Sequence, residues 1–232
     1  MNSWQTGVAM KLHKLIIASA VTASAFAGEP PAVAPAAATT DHNAYVAVSG
    51  LYNEFSQSVE AEGFRVDGGF GLGNGLSLDA RFENAYTGNV STGTGPSSSQ
   101  ELKFNELRAL AHYTKQINDG VSLIGGLGYG KVGFSFSGLD YLSTEGLLAD
   151  VGVKVQSGRA SAALSYTHLF SFHTSSFIGG PLQDEDIGLL EGSLGYQLTD
   201  NVTAIATAQT QVLGNTEIEK DLSLTLGLRY SF

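Results

Sequence analysis

The chain has no cysteine among its 232 residues. That excludes a thiolate metal site and a cysteine nucleophile, and it removes stray oxidation as a hazard in an oxidising compartment. Charge is scarce too. Only 15% of residues are Asp, Glu, Lys or Arg, against about 25% in a typical soluble domain. No apolar run approaches the roughly 20 residues that a membrane-spanning helix needs. Basic residues are outnumbered, with 12 Lys and Arg against 22 Asp and Glu, for a formal charge of -10. Phosphate backbones are bound by basic patches, so nucleic acid is not expected as a partner. The catalytic signatures G-x-S-x-G and H-E-x-x-H are absent as well.

What the chain has instead is alternation. From Leu222 it reads LSLTLGLRYSF, with Leu222, Leu224, Leu226, Leu228, Tyr230 and Phe232 separated by small or polar residues. A two-residue period puts one apolar and one wet face on a β-strand. A continuous apolar face running to the end of the chain is an aggregation hazard in water. It is accommodated if that face meets lipid and the neighbouring strands close a barrel.

The N-terminal segment fits export. Lys11, His13 and Lys14 are basic, Leu15 to Val21 are apolar, and Ala25-Phe26-Ala27 matches an A-x-A cleavage site. Residues 1–27 are therefore expected to be a signal peptide, with Met10 the expected initiator and Gly28 the first mature residue. Loss of Lys11 and Lys14 would take the formal charge from -10 to -12. Residues 28–42 hold Pro30, Pro31, Pro35 and much alanine. They read as an extended periplasmic linker, and residues 43–232 as the barrel.

Ten strands are predicted, at about 44–56, 63–73, 76–87, 102–115, 121–137, 144–156, 159–172, 187–198, 202–213 and 222–232. The third is the most regular, with Leu76, Leu78, Ala80, Phe82 and Tyr86 on one face and Ser77, Asp79, Arg81 and Glu83 on the other. Tight connections near 73–75, 116–120, 157–158 and 199–201 alternate with longer or more polar ones near 57–62, 88–101, 138–143, 173–186 and 214–220. Bacterial barrels have short periplasmic turns and longer extracellular loops. The fold class is all-β, an antiparallel up-and-down transmembrane barrel. Ten strands fit best, and mispairing of weak strands would give eight or twelve.

The last eight residues carry a resemblance. Polar Thr225, Gly227 two later, Tyr230 three after that and terminal Phe232 resemble the terminal signal of bacterial outer-membrane barrels. The whole pattern is similar to the small outer-membrane β-barrel families, OmpX-like and OmpA-transmembrane-domain-like proteins among them. The resemblance implies export to the outer membrane of a Gram-negative-type bacterium. The partners it implies are outer-membrane lipid, the barrel-assembly machinery and periplasmic chaperones.

Inward positions hold Arg65, Asp67, Asp79, Arg81, Glu83, Glu106, Arg108, Asp150, Lys154 and Arg229. Buried charges need partners, so Asp79, Arg81, Glu83, Glu106 and Arg108 are expected to form a lumen charge network that plugs the barrel. The alternative is a narrow channel for small polar solutes. Barrels of about eight strands are filled by side chains, and those of 16 or more leave a channel. A third reading is an outer-membrane protease or lipid-modifying enzyme, with His168, His173, Asp184, Glu185 and Asp186 at the rim. Those acids also read as a solvated loop. The segment GNVSTGTGPSSSQ at 88–100 could bind an extracellular ligand, or it is a solvated connection. No catalytic residue, metal or cofactor is expected. The preferred role is non-enzymatic, in membrane structure or surface interaction.

Overall fold

A computed structural model describes residues 44–56, 59–87, 90–91, 99–100, 102–136, 139–176, 186–214 and 219–232. The expected signal segment 1–27 and the linker 28–42 lie outside the described residues. The strands are β1 (Ala44–Phe55), β2 (Val59–Gly73), β3 (Leu76–Thr87), β4 (Val90–Ser91), β5 (Ser99–Gln100), β6 (Leu102–Asn118), β7 (Val121–Phe136), β8 (Leu139–Ser157), β9 (Ala160–Ser176), β10 (Ile187–Gln197), β11 (Val202–Leu213) and β12 (Lys220–Ser231). Ten of them form one closed antiparallel barrel in the order β1-β12-β11-β10-β9-β8-β7-β6-β3-β2. The two-residue strands β4 and β5 pair only with each other.

The meander closes where the last strand meets the first. Tyr45 pairs with Ser231, Val48 with Leu228 and Leu51 with Thr225. At this seam an added Cβ on Gly227 would fall within 2.2 Å of both the Val48 carbonyl oxygen and Ser49 Oγ. Only glycine allows that approach without displacing the strands.

One end of the barrel carries tight turns. Gly73, Asn74 and Gly75 have φ of 87°, 53° and 81°, the left-handed region that Gly and Asn tolerate. The turns after Asn118 and Ser157 also contain a positive-φ glycine, Gly120 and Gly158. Ala44 and Ser231 reach the same end, where Phe232 N donates to Ala44 O at 2.9 Å. We call this the turn end and the opposite one the loop end.

Several strands outrun the apolar alternation. β2 begins at Val59 rather than 63, β8 at Leu139 rather than 144, and β9 continues to Ser176 rather than 172. Backbone pairing persists there while the outward faces turn polar, as at Glu60 and Glu62. Hydrogen bonding sets strand length, whereas the alternation reports only the part of the wall that is apolar.

The wall is inverted relative to a soluble sandwich. Leu127, Leu147, Val151 and Leu226 are each 60% or more exposed, while Arg65, Glu83, Glu106 and Arg108 are buried. Aromatic residues sit toward both ends of the outer face: Phe70, Tyr113, Tyr230 and Phe232 at the turn end, and Tyr86, Tyr129 and Phe172 toward the loop end. An apolar band between aromatic girdles is the outer surface of a transmembrane barrel.

Candidate functional site in the lumen

Alternation sends every second side chain inward, and five strands place charges at one level. These are Arg65 and Asp67 on β2, Arg81 and Glu83 on β3, Glu106 and Arg108 on β6, Glu191 on β10 and Lys220 on β12. Four are cations (Arg65, Arg81, Arg108, Lys220) and four are anions (Asp67, Glu83, Glu106, Glu191), so the set is formally neutral.

Register alone would make this arrangement unfavourable. Arg81 lies directly opposite Arg108, and Glu83 directly opposite Glu106. Like charges in directly opposed positions repel. The repulsion is relieved by reaching across the lumen. Arg81 donates to both oxygens of Glu191 at 2.6 and 3.0 Å and to Asp67 at 2.9 Å. Lys220 Nζ sits between the two glutamates, 3.0 Å from Glu83 and 2.9 Å from Glu106. Arg108 pairs with Glu106. Arg65 donates to Asp67 at 2.7 Å and to Thr207 at 3.2 Å. Gln209 ties the halves together, accepting from Lys220 at 3.3 Å and donating to Glu191 at 3.1 Å.

Toward the loop end an apolar layer covers the network. Phe55, Phe104 and Phe134 form a triangle with ring centroids 5.2, 5.2 and 5.3 Å apart. Leu51, Ala61 and Ala85 complete this cluster. Lys220 Nζ lies 4.6 Å from the Phe104 ring centre, a cation on an aromatic face. A cavity of about 30 Å³ remains among Phe55, Phe134, Ile187 and Leu189. Toward the turn end lies a larger polar cavity of about 350 Å³. No residue lines both cavities. The charge network stands between them: Glu106 and Lys220 line the smaller cavity, and Arg65, Asp67, Arg81, Arg108 and Glu191 the larger.

Asp79 is not part of this network. It belongs to a second cluster nearer the turn end, where it accepts from Tyr45 at 2.7 Å and Ser77 at 2.8 Å. His112 Nδ1 is 2.9 Å from Asp79, and its Nε2 is 3.4 Å from Asp150. Thr167 donates to Asp150 at 2.7 Å. Lys154 and Arg229 also line the large cavity.

Sequence reasoning missed three members of the network. Glu191 follows from strict alternation, since Leu190 and Leu194 face outward. Gln209 is inward on β11 by the same count. Lys220 falls in the predicted connection 214–220 because its strand begins two residues before the apolar pattern does.

The four residues of the terminal motif divide between the two faces. Thr225 is buried in the lumen, sharing a 2.6 Å hydrogen bond with Thr207. Gly227 is at the seam. Tyr230 and Phe232 are on the outer wall, with ring centroids 5.0 Å apart.

The rim residues do not converge on the lumen. His168 alternates with the inward Thr167 and Leu169, so it is on the outer wall. There its ring centre is 4.2 Å from that of Phe170, with the rings tilted by 43°, and its Nε2 lies 3.3 Å from Asp186. His173 is exposed on β9. Asp184 and Glu185 lie outside the described residues, as does most of 88–100. Among the described residues, no group of three metal-ligating side chains is present.

No protein-family model and no curated protein matches the chain. Solved structures do. An outer-membrane channel from Pseudomonas putida F1 is 10% identical, with 87% of this chain and 100% of that one covered and a TM-score of 0.53. The outer-membrane protease OmpT from Escherichia coli is 10% identical, with 84% and 99% covered and a TM-score of 0.51. Neisserial surface protein A is 16% identical, with 82% and 97% covered and a TM-score of 0.41. A channel and a protease are thus matched about equally, so the likeness fixes the architecture and leaves the role open. The chain has the fold of the small outer-membrane β-barrels.

Proposed function

We propose that this chain is an integral outer-membrane barrel with a closed lumen. Its role is structural or in surface interaction, and it is neither catalytic nor conducting. The observation carrying this reading is the neutral eight-charge network that crosses the lumen beneath the phenylalanine triangle. An open polar pore needs a continuous wet path, and no residue lines both lumen cavities. The apolar outer wall and its aromatic girdles support a membrane location, and the N-terminal pattern supports export. Outer-membrane lipid is then the partner of the wall, and assembly machinery and periplasmic chaperones are the partners of the terminal motif.

The large turn-end cavity favours a second reading, a narrow channel that opens when the network rearranges. The His168–Asp186 pair, with Tyr166 on the other ring nitrogen at 2.9 Å, is on the outer wall rather than over the lumen, and that placement weighs against an enzyme, because general acid/base groups must reach a bound substrate. Liposome swelling separates the first two. Vesicles containing the purified protein should not swell in an isotonic pentose above the protein-free rate. Rapid swelling would replace the closed barrel with the channel.

A further inference from the structure

We propose that the turn-end cavity is a binding site for a small oxyanion of two or more negative charges, held by Lys154 and Arg229. The proposal goes beyond the closed barrel and holds whether or not the lumen conducts. The cavity of about 350 Å³ is lined by five Lys or Arg residues (Arg65, Arg81, Arg108, Lys154, Arg229) against four acids (Asp67, Asp79, Asp150, Glu191). This positive excess sits inside a chain whose formal charge is -10.

The acids are already engaged. Asp67 and Glu191 are held by arginines, Asp79 by Tyr45, Ser77 and His112, and Asp150 by Thr167 and His112. Lys154 and Arg229 differ from every other lining cation. Among the described residues neither makes an ion pair. Arg229 rests on the Tyr45 ring at 4.3 Å, and its Nε is buried without a hydrogen-bond partner. Both side chains line the same cavity. Two half-buried like charges are unfavourable together unless an anion enters between them.

The surroundings fit an oxyanion. Ser161, Ser193 and Thr203 add hydroxyl groups to the lining. Gly195 leaves open the position beside Ser161, where a Cβ would come within 2.6 Å of Ser161 Oγ. The volume is roughly ten times that of one water molecule in the liquid, about 30 Å³, enough for a phosphate or a short dicarboxylate. Lys154, Ser161 and Arg229 lie close to the strand ends at Ser157, Ala160 and Ser231, so an anion reaches them from the turn end without crossing the network.

The test is calorimetric titration of the detergent-refolded full chain with inorganic phosphate, and separately with succinate, at constant ionic strength. Saturable binding with one site is expected, and saturation with one anion should abolish the heat of the other. Lys154→Met and Arg229→Gln should each weaken binding by about tenfold or more. Lys131→Met, on the outer wall, should leave it unchanged. Heat-modifiable gel mobility checks that each variant is folded. Absence of saturable binding to either anion would overturn the proposal. So would equal binding by wild type, Lys154→Met and Arg229→Gln.

Discussion

Arg81 and Glu191 are 110 positions apart in sequence and meet across the lumen through two hydrogen bonds of 2.6 and 3.0 Å. A bidentate guanidinium–carboxylate pair is among the stronger hydrogen-bonded contacts a protein makes, and here it joins opposite walls of the barrel. Arg81→Ala leaves Glu191 and Asp67 short of a partner. It should lower stability by about 3–5 kcal/mol, measured by urea unfolding of the barrel in lipid vesicles. The double variant Arg81→Met/Glu191→Met removes both charges and should recover much of the loss. An Arg81→Ala barrel as stable as wild type would remove the network from the account of stability.

Lys220 holds apart two glutamates that register places side by side. Lys220→Met should destabilise more than Lys131→Met, because it takes the shared cation from two buried carboxylates, leaving Glu106 only Arg108, whereas Lys131 is exposed. The expected loss is about 3–5 kcal/mol against less than about 0.5 kcal/mol for the surface variant. Adding Glu83→Gln to Lys220→Met should restore part of it. Equal unfolding midpoints for the two lysine variants would contradict this role.

The architecture was legible because a barrel wall writes its two faces into alternate residues. Strand β3 shows Leu78, Phe82 and Tyr86 against Asp79, Arg81 and Glu83, and it runs over the predicted 76–87. The charge network was less legible. Alternation identifies which residues face inward, but which inward residues meet depends on stagger around a closed sheet. That stagger brings Glu191 and Lys220 to Arg81 and Glu83, and it separates Asp79 from Arg81 although only one position lies between them. The phenylalanine triangle draws Phe55, Phe104 and Phe134 from three strands that extend past the apolar band. Their inward facing had no alternating outer partner to reveal it.

The seam between β1 and β12 depends on Gly227. Gly227→Val should cost about 1–3 kcal/mol of refolded stability, as overpacking does elsewhere. Gly50→Ala is the control, since the nearest atom to its added Cβ is 3.9 Å away. If both variants unfold at the same urea concentration, close approach at Gly227 does not matter.

Phe232 tests the terminal motif separately from stability. The residue is 66% exposed on the outer wall, so its removal costs the folded barrel little. Deletion of Phe232 should reduce the amount assembled in cells far more than it reduces refolding in detergent. Heat-modifiable mobility of both preparations on one gel reads this. Normal assembled levels in cells would show that Phe232 is not part of an assembly signal.

Single-molecule conductance in planar bilayers addresses the closed lumen most directly. Wild-type protein should give no stepwise current above the bare bilayer at moderate voltage. The triple variant Arg81→Ala/Glu191→Ala/Phe104→Ala opens both the charge layer and the phenylalanine layer, and it should give discrete steps. Steady wild-type steps of the same size as those of the triple variant would contradict a closed barrel.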